Sequence, residues 1–499
     1  MKLARSSGVL LHPTSLPGPF GVGDMGAEAR RFVDLLAKAG QTWWQILPLN
    51  APGYGGSPYS AVSAFAGNPM LIDPLALHER GWASDDDLET LRVAVDPGAT
   101  RVEFQRVTQA KGAYLRAVYE GFCESASTRE QEGFDVFCEE QGAWLEDYAM
   151  FSALKRARGG SWRDWGEAIV QHSVEALDAV AREHGDEIDF VMFTQWVFFT
   201  QWNALRGYAA QRNVRFIGDI PIFVAMDSAD VWADRGVFLV DEAGRAEAVA
   251  GVPPDYFSET GQKWGNPLYN WAALQEEDYA WWIERVEATR EMVDLMRIDH
   301  FRGFEAYWAI PADAPTAETG AWEKAPGDAL LSALKADLGQ LPLIAEDLGV
   351  ITAEVEALRD RYAIPGMKVM QFAFNGDPNH PFLPHTYPDH CVAYLGTHDN
   401  DTTRGWYDAL AEHDKHHVRV YLSSPDEAVV QGMLGKLLES RASRVIVTPQ
   451  DLFALGSDAR MNTPGTPRDN WRWRLDPRCV EDERPWMELR ARTERTRRI

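Results

Sequence analysis

Eight short apolar runs, most of them followed by helical patterning, constrain the fold more than any other feature of the chain. They are Gly8–His12, Thr42–Leu49, Arg215–Phe223, Leu295–Asp299, Leu341–Asp347, Met367–Phe374, Val392–Asp399 and Arg444–Leu452. Each has the length of a buried strand, and several are apolar throughout, as parallel strands covered on both faces are. Amphipathic stretches such as Ala27–Ala39, Tyr279–Glu291 and Ala353–Tyr362 alternate with them. Strand–helix alternation builds βαβ units. Eight such units predict an α/β fold, a (β/α)8 TIM barrel, rather than an open sheet.

A bare barrel needs about 250 residues, and this chain has 499. The remainder reads as large, mostly helical insertions between barrel strands of a single catalytic domain spanning 1–499. The first runs from about 51 to 213, after the second strand. It opens with the Gly-, Pro-, Ser- and Tyr-rich Ala51–Pro74 and continues as a largely helical Leu75–Arg212. The second, about 225–269, follows the third strand and contains the turn-rich GVPPDYFSETGQKWGNPLY.

Charge narrows the partners. Lys and Arg number 49 against 75 Asp and Glu, a formal net of −26. Nucleic acids and anionic membrane surfaces select basic footprints, so neither is expected as a partner. Cys123, Cys138, Cys391 and Cys479 lie far apart and form neither a disulfide framework nor a zinc ribbon. The first apolar run is far shorter than the roughly 7–15 residues of a signal peptide. No stretch reaches the ~20 apolar residues of a membrane helix. These features predict a cytoplasmic protein with reduced thiols. Aromatic residues make up 11%, including 19 Trp; indoles stack on sugar faces but also fill cores.

Carboxylates mark the expected site. In such barrels functional side chains stand at the C-terminal ends of strands. FIGDIPIF places Asp219 there, MRIDHFRG places Asp299 with Arg297 and His300, LIAEDLG places Glu346 and Asp347, and YLGTHDND places His398 and Asp399. One such acid could simply cap a helix or pair with an arginine. Four strand ends aiming acids at one mouth call for chemistry, with Arg297 and the histidines as their charge partners. Glycosidic bonds fit: a retaining enzyme needs a carboxylate nucleophile and a carboxylic acid about 5–5.5 Å apart. An apolar run before Glu346 and Asp347 beside it favour a raised pKa there.

Weaker motifs fall to plain readings. Gly21–Gly26 matches GxGxxG, but the loop Pro13–Gly21 separates it from its strand, against dinucleotide binding. His413, His416 and His417 have helical spacing and read as a solvated face.

Longer segments carry a resemblance: SGVLLHPTSLPGPFGVGDMG, QILPLNAPGYGGSPYSAVSAFAGNPMLID, GDIPIFV, GVPPDYFSETGQKWGNPLY, MRIDHFRGFEAYW, AEDLG, GTHDNDTTRGW and RMNTPGTP, spread over residues 7 to 467. The chain resembles the 4-alpha-glucanotransferases of the amylomaltase (disproportionating enzyme) family, within the alpha-amylase superfamily. The resemblance implies that Asp299 is the nucleophile, Glu346 the general acid and then base, and Asp399 the holder of sugar hydroxyls. It implies that Arg297 and His398 contact Asp299 and the sugar at the cleavage point, with Asp219 and His300 nearby and Ser57 and Tyr59 lining the same subsite. Tyr256, Phe257 and Trp264 would sit on a loop over the acceptor groove, Asn462 and Pro464 on a second rim loop, and Tyr54 in a separate glucan groove. The implied ligands are maltooligosaccharides, glucose and alpha-1,4-glucans, with no cofactor, no metal and no obligate protein partner.

Two positions depart from the pattern. Many relatives read GYGDSPY where this chain has Gly55-Gly56-Ser57, and many carry Asp after FAF where it has Asn375. Both bear on acceptor preference. A hydrolase would use the same carboxylates with a wetter site. An inactive glucan-binding protein is disfavoured by the intact Asp299, Glu346 and Asp399. Transfer, which the resemblance implies, requires a sugar hydroxyl to outcompete water at ~55 M through positioning and exclusion.

Overall fold

The computed structural model describes residues 5–254, 258–466 and 468–499. Eight parallel strands close into a barrel: β1 (Ser6–Leu10), β2 (Trp43–Gln45), β3 (Arg215–Ile220), β4 (Leu295–Ile298), β5 (Leu343–Ala345), β6 (Gly366–Val369), β7 (Cys391–Tyr394) and β8 (Arg444–Val447). Neighbours in space are neighbours in the order β1 to β8, and β8 pairs with β1. Each of the eight apolar runs supplies one strand, so the expected (β/α)8 architecture is the observed one. β1, β2, β4, β5 and β7 are buried along their whole length, as strands sandwiched between barrel interior and outer helices must be.

The strands are shorter than their apolar runs, because the chain leaves the sheet at the rim. β6 gives way to a 3-10 turn at Met370–Ala373. β8 ends at Val447, where Thr448 caps the short helix Pro449–Leu452 by accepting from the Asp451 N–H. Pro449 at the first helical position cannot donate to a ladder and starts that helix instead.

Between β2 and β3 lies an assembly of helices around Gly142–Arg158 and the 37-residue Val174–Ala210. Its core is aromatic: Phe122 packs against Trp82, Phe193 and Trp196 at ring-centroid distances of 5.1, 4.8 and 5.4 Å. Trp44, Trp162, Trp202, Trp232, Trp282 and Trp486 are all fully buried. Much of the tryptophan therefore fills the core and does not reach a sugar. Trp202 joins the insertion to the barrel. Its ring lies 4.9 Å from that of Phe216 in β3, and its Nε1 donates to the Met292 carbonyl at 2.9 Å. Trp202→Ala is expected to lower unfolding stability by about 3–5 kcal/mol, measured by urea denaturation; a loss below 1 kcal/mol would mean that this joint is not a structural anchor.

One element was not anticipated from the sequence. Gln262–Pro267, Ala248–Val252, Ala306–Pro311 and Ala321–Lys324 form, in that order, a four-stranded antiparallel sheet beside the barrel mouth. Its strands AVAGV and QKWGNP are short and broken by glycine, so the alternation that announces a half-buried strand is missing. No helix among the described residues is long and apolar enough to cross a membrane. None of their His, Cys, Asp and Glu side chains form a group of three placed to hold a metal ion.

Candidate active site

Strand register assembles the site floor. Asp219 of β3 and Arg297 of β4 are register partners in the parallel ladder, so their side chains leave the sheet side by side. Arg297 Nη1 donates to both carboxylate oxygens of Asp219, at 2.9 and 2.7 Å. Its Nη2 lies 3.0 Å from Asp299 Oδ1, just past the end of β4. One guanidinium thus serves two carboxylates. Burial opposes the Arg297 charge, but Asp219, Asp299, Tyr59 and Glu346 more than offset it and hold its pKa well above the ordinary value. Burial pushes the Asp219 carboxyl up, to about 7, against the pull of Arg297.

Exposure separates floor from cleft. The side chains of Asp219, Arg297 and His398 are essentially buried, whereas those of Asp299 and Asp399 are 31% and 39% exposed. The two open carboxylates face solvent above a buried ionic base.

Glu346, the residue after β5, is held by two backbone amides. His300 N–H donates to Oε2 at 2.8 Å and Leu348 N–H to Oε1 at 2.9 Å. Burial raises its pKa to about 7; Arg297 and the two amides pull down, and Asp299 pushes up. The adjacent Asp347 plays a different part from the one its position suggests. It turns away to pair with Arg359 and to accept from Met367 N–H at 2.7 Å, so burial, not Asp347, raises the Glu346 pKa.

His398 and Asp399 lie on the loop beyond β7. Tyr59, brought in from the loop after β2, donates its hydroxyl to Asp219 Oδ2 at 2.9 Å and lies 2.8 Å from His398 Nε2. Its ring stacks on His398 at 5.4 Å, and Trp471 closes the cluster at 5.6 Å from Tyr59 and 5.9 Å from His398. His398 Nε2 is 3.4 Å from Asp399 Oδ2. Burial lowers the pKa of His398, and burial with Arg302 lowers that of His300 to about 4. The two histidines are therefore neutral at pH 7, and among the described residues the cation beside Asp219 and Asp299 is Arg297.

The structure also places the rim. Asn462 Nδ2 donates to Asp399 Oδ1 at 2.7 Å, and Asn462 N–H donates to the His398 carbonyl at 3.1 Å. Pro464 stands exposed in the turn that follows. Ser57 Oγ accepts from Tyr59 N–H at 3.2 Å, which fixes the turn that delivers Tyr59. Trp264, in the strand Gln262–Pro267, is 38% exposed and meets the His300 ring edge-to-face at 5.0 Å. Tyr256 and Phe257 lie outside the described residues, as does the side chain of Tyr54. Gly56 has φ +69°, and a Cβ there would meet the Phe104 ring at 2.8 Å, so any side chain at this departure position requires Phe104 to yield.

Two contributors were missed in the sequence. Arg460 Nη2 donates to the Asp399 carbonyl at 2.8 Å and Nε to the Asn462 carbonyl at 2.7 Å, tying the two rim loops together. Its place directly before MNTPGTP was the available signal. Trp471 gave none, since nothing local distinguishes it from the core tryptophans.

Comparison with known proteins identifies the family. The family described as 4-alpha-glucanotransferase matches residues 11–479. A 4-alpha-glucanotransferase of Thermus thermophilus is 50% identical over all of both chains. One from Synechocystis is 45% identical over 96% of this chain and 95% of its own. The solved amylomaltase of Streptococcus agalactiae, in complex with acarbose, superposes with a TM-score of 0.95 at 38% identity, covering 99% of each chain. An amylomaltase of Corynebacterium glutamicum, 22% identical, shares the fold with a TM-score of 0.78 over 99% of this chain and 75% of its own. With the family matched over nearly its whole length and a full-length relative half identical to it, this chain belongs to the 4-alpha-glucanotransferases.

Proposed function

We propose that the chain moves segments of alpha-1,4-glucan between chains by retaining double displacement, with Asp299 as nucleophile and Glu346 as acid and then base. The observation that carries the reading is the contrast between the two groups. Asp299 is open to the cleft with a guanidinium at 3.0 Å. Glu346 is raised to about 7 by burial. Two carboxyl groups with environments this different suit opposite roles at neutral pH. In the first step Glu346 protonates the departing glycosidic oxygen while an Asp299 oxygen bonds to the anomeric carbon. In the second, Glu346 takes the proton of the incoming 4-hydroxyl as its oxygen bonds to the anomeric carbon, and the sugar–Asp299 bond breaks to release the carboxylate.

The remaining roles follow position. Asp399, fixed by Asn462, holds hydroxyls of the sugar being transferred. Arg297 and Asp219, with the neutral His398 and Tyr59, form the polar floor beneath that sugar, with Ser57 supporting Tyr59. Trp264 is assigned to the acceptor side and Pro464 to a second rim loop; for Tyr256, Phe257 and Tyr54 the family resemblance alone supports the acceptor-loop and separate-groove roles. The substrates are soluble maltooligosaccharides, with glucose and longer glucans as acceptors. The acarbose held by the Streptococcus agalactiae amylomaltase supports a site shaped for glucan-like chains. Four free cysteines, two of them buried, suit a reducing cytoplasm.

Incubation with pure maltotriose tests the reaction. Transfer predicts a ladder of longer and shorter maltodextrins at constant reducing ends; shortening with rising reducing ends would establish a hydrolase instead. Trp264→Ala is expected to lower the transfer-to-hydrolysis ratio by about tenfold, the effect of losing roughly 1.4 kcal/mol of acceptor stacking. An unchanged ratio would remove Trp264 from the acceptor site.

A further inference from the structure

The acid/base carboxyl rests on a backbone amide whose direction depends on one unusual residue. His300 has φ +52° and ψ 48°, the left-handed conformation that a non-glycine residue rarely adopts. It sits between Asp299 and a 3-10 turn, Phe301–Phe304, and Gly303 N–H donates back to its carbonyl at 2.9 Å. Gly303 leaves space for this: a Cβ there would meet Ile222 Cδ1 at 2.6 Å and His300 Cδ2 at 3.3 Å. Because residue 300 is left-handed, its N–H points at Glu346 Oε2, while Phe301 N–H donates to the Glu346 carbonyl at 3.1 Å. The nucleophile's own strand end thus carries the clamp for its acid/base partner. The His300 ring points elsewhere, edge-on to Trp264, with a buried Nε2 that has no partner among the described residues.

We infer that His300 is a positioning residue with two separable parts: its left-handed backbone aims an amide that holds Glu346 and sets the proton affinity of the acid/base, and its ring supports Trp264 over the acceptor. The inference rests on the acid/base reading of Glu346. The charged groups facing Glu346 are Arg297 and Asp299, both from the β4 end; Asp347 is engaged on the far side by Arg359. Substitution at 300 leaves all of these in place. An amide donating to a carboxylate favours its ionised form, so misdirecting this amide makes Glu346 harder to deprotonate.

Three variants separate the parts. Valine is strongly disfavoured in the left-handed region, whereas asparagine and glycine tolerate it. In His300→Val the basic limb of the kcat/KM profile on maltotriose is expected to move up by about one pH unit, the scale of one such bond. In His300→Asn and His300→Gly the limb stays within 0.3 unit, on the ~0.1-unit precision of such fits, while both lower the transfer-to-hydrolysis ratio because the ring is gone. If His300→Val does not fold, judged by circular dichroism and thermal melting, His300→Ala is read in its place and moves the limb in the same direction. An unmoved limb in a folded valine or alanine variant, or an equal shift in the glycine variant, overturns the inference. Absence of any basic limb in the parent enzyme would instead overturn the acid/base reading, whereas a limb that survives Glu346→Gln belongs to Asp219 and overturns the inference that His300 sets it.

Discussion

Asp299→Asn is expected to lower turnover on maltotriose by a factor of about 10⁵ or more, the scale on which losing a nucleophile disables a site that works as a unit. The substitution is isosteric and keeps an oxygen for Arg297, but an amide oxygen is a poor nucleophile and leaves no charge to neutralise the oxocarbenium-like transition state. The fold should be indifferent to it. Arg297 keeps both hydrogen bonds to Asp219, and Asp299 is a partly exposed side chain at a strand end, so the melting temperature stays near that of the parent. A chemical test separates Asp299 from Asp399, the other open carboxylate. In Asp299→Gly, given alpha-maltosyl fluoride and azide, the small anion enters where the carboxylate stood and yields beta-maltosyl azide by a single inversion. The same product from Asp399→Gly, and not from Asp299→Gly, would exchange the two roles.

Much of this site was legible because a barrel converts position along a strand into position in space. Asp219, Arg297, Asp299 and Glu346 fall within two residues of strand ends that the apolar runs locate, and the parallel register then fixes which are neighbours. Hidden features are those in which the chain leaves that frame. Tyr59 meets Asp219 across 160 residues of sequence, and only the resemblance pointed to it. Asp399 lies five residues past β7 on a loop whose course is set by Arg460 and Asn462, from a second loop after β8. The side sheet carrying Trp264 was invisible because two of its strands, Ala248–Val252 and Gln262–Pro267, are broken by glycine and lack a two-residue period. The protonation of the histidines was misjudged for a related reason: sequence shows that His300 and His398 stand beside acids, but burial, which the sequence does not show, decides their charge.

Glu346→Gln is expected to lower kcat/KM on maltotriose by about 10²–10⁴-fold, the usual contribution of a positioned general acid. The parent enzyme's profile should fall tenfold per pH unit above about 7. The sign follows from the chemistry: cleavage of the donor needs the protonated acid, which burial keeps populated up to that pH and which is lost above it. Asp219 is also raised to about 7, so the limb alone does not identify its owner; the leaving group does. Fluoride departs with little help from an acid, so with alpha-maltosyl fluoride as donor a Glu346 limb flattens and Glu346→Gln loses far less in forming the glycosyl-enzyme. A limb owned by Asp219 would persist with either donor, because that carboxyl supports Arg297 whatever the leaving group. Persistence would therefore reassign the titration to the Asp219–Arg297 floor. Flattening would leave Glu346 as the group whose proton is spent on the donor oxygen and regained from the acceptor hydroxyl, a return trip that a pKa near neutrality serves equally well in both directions.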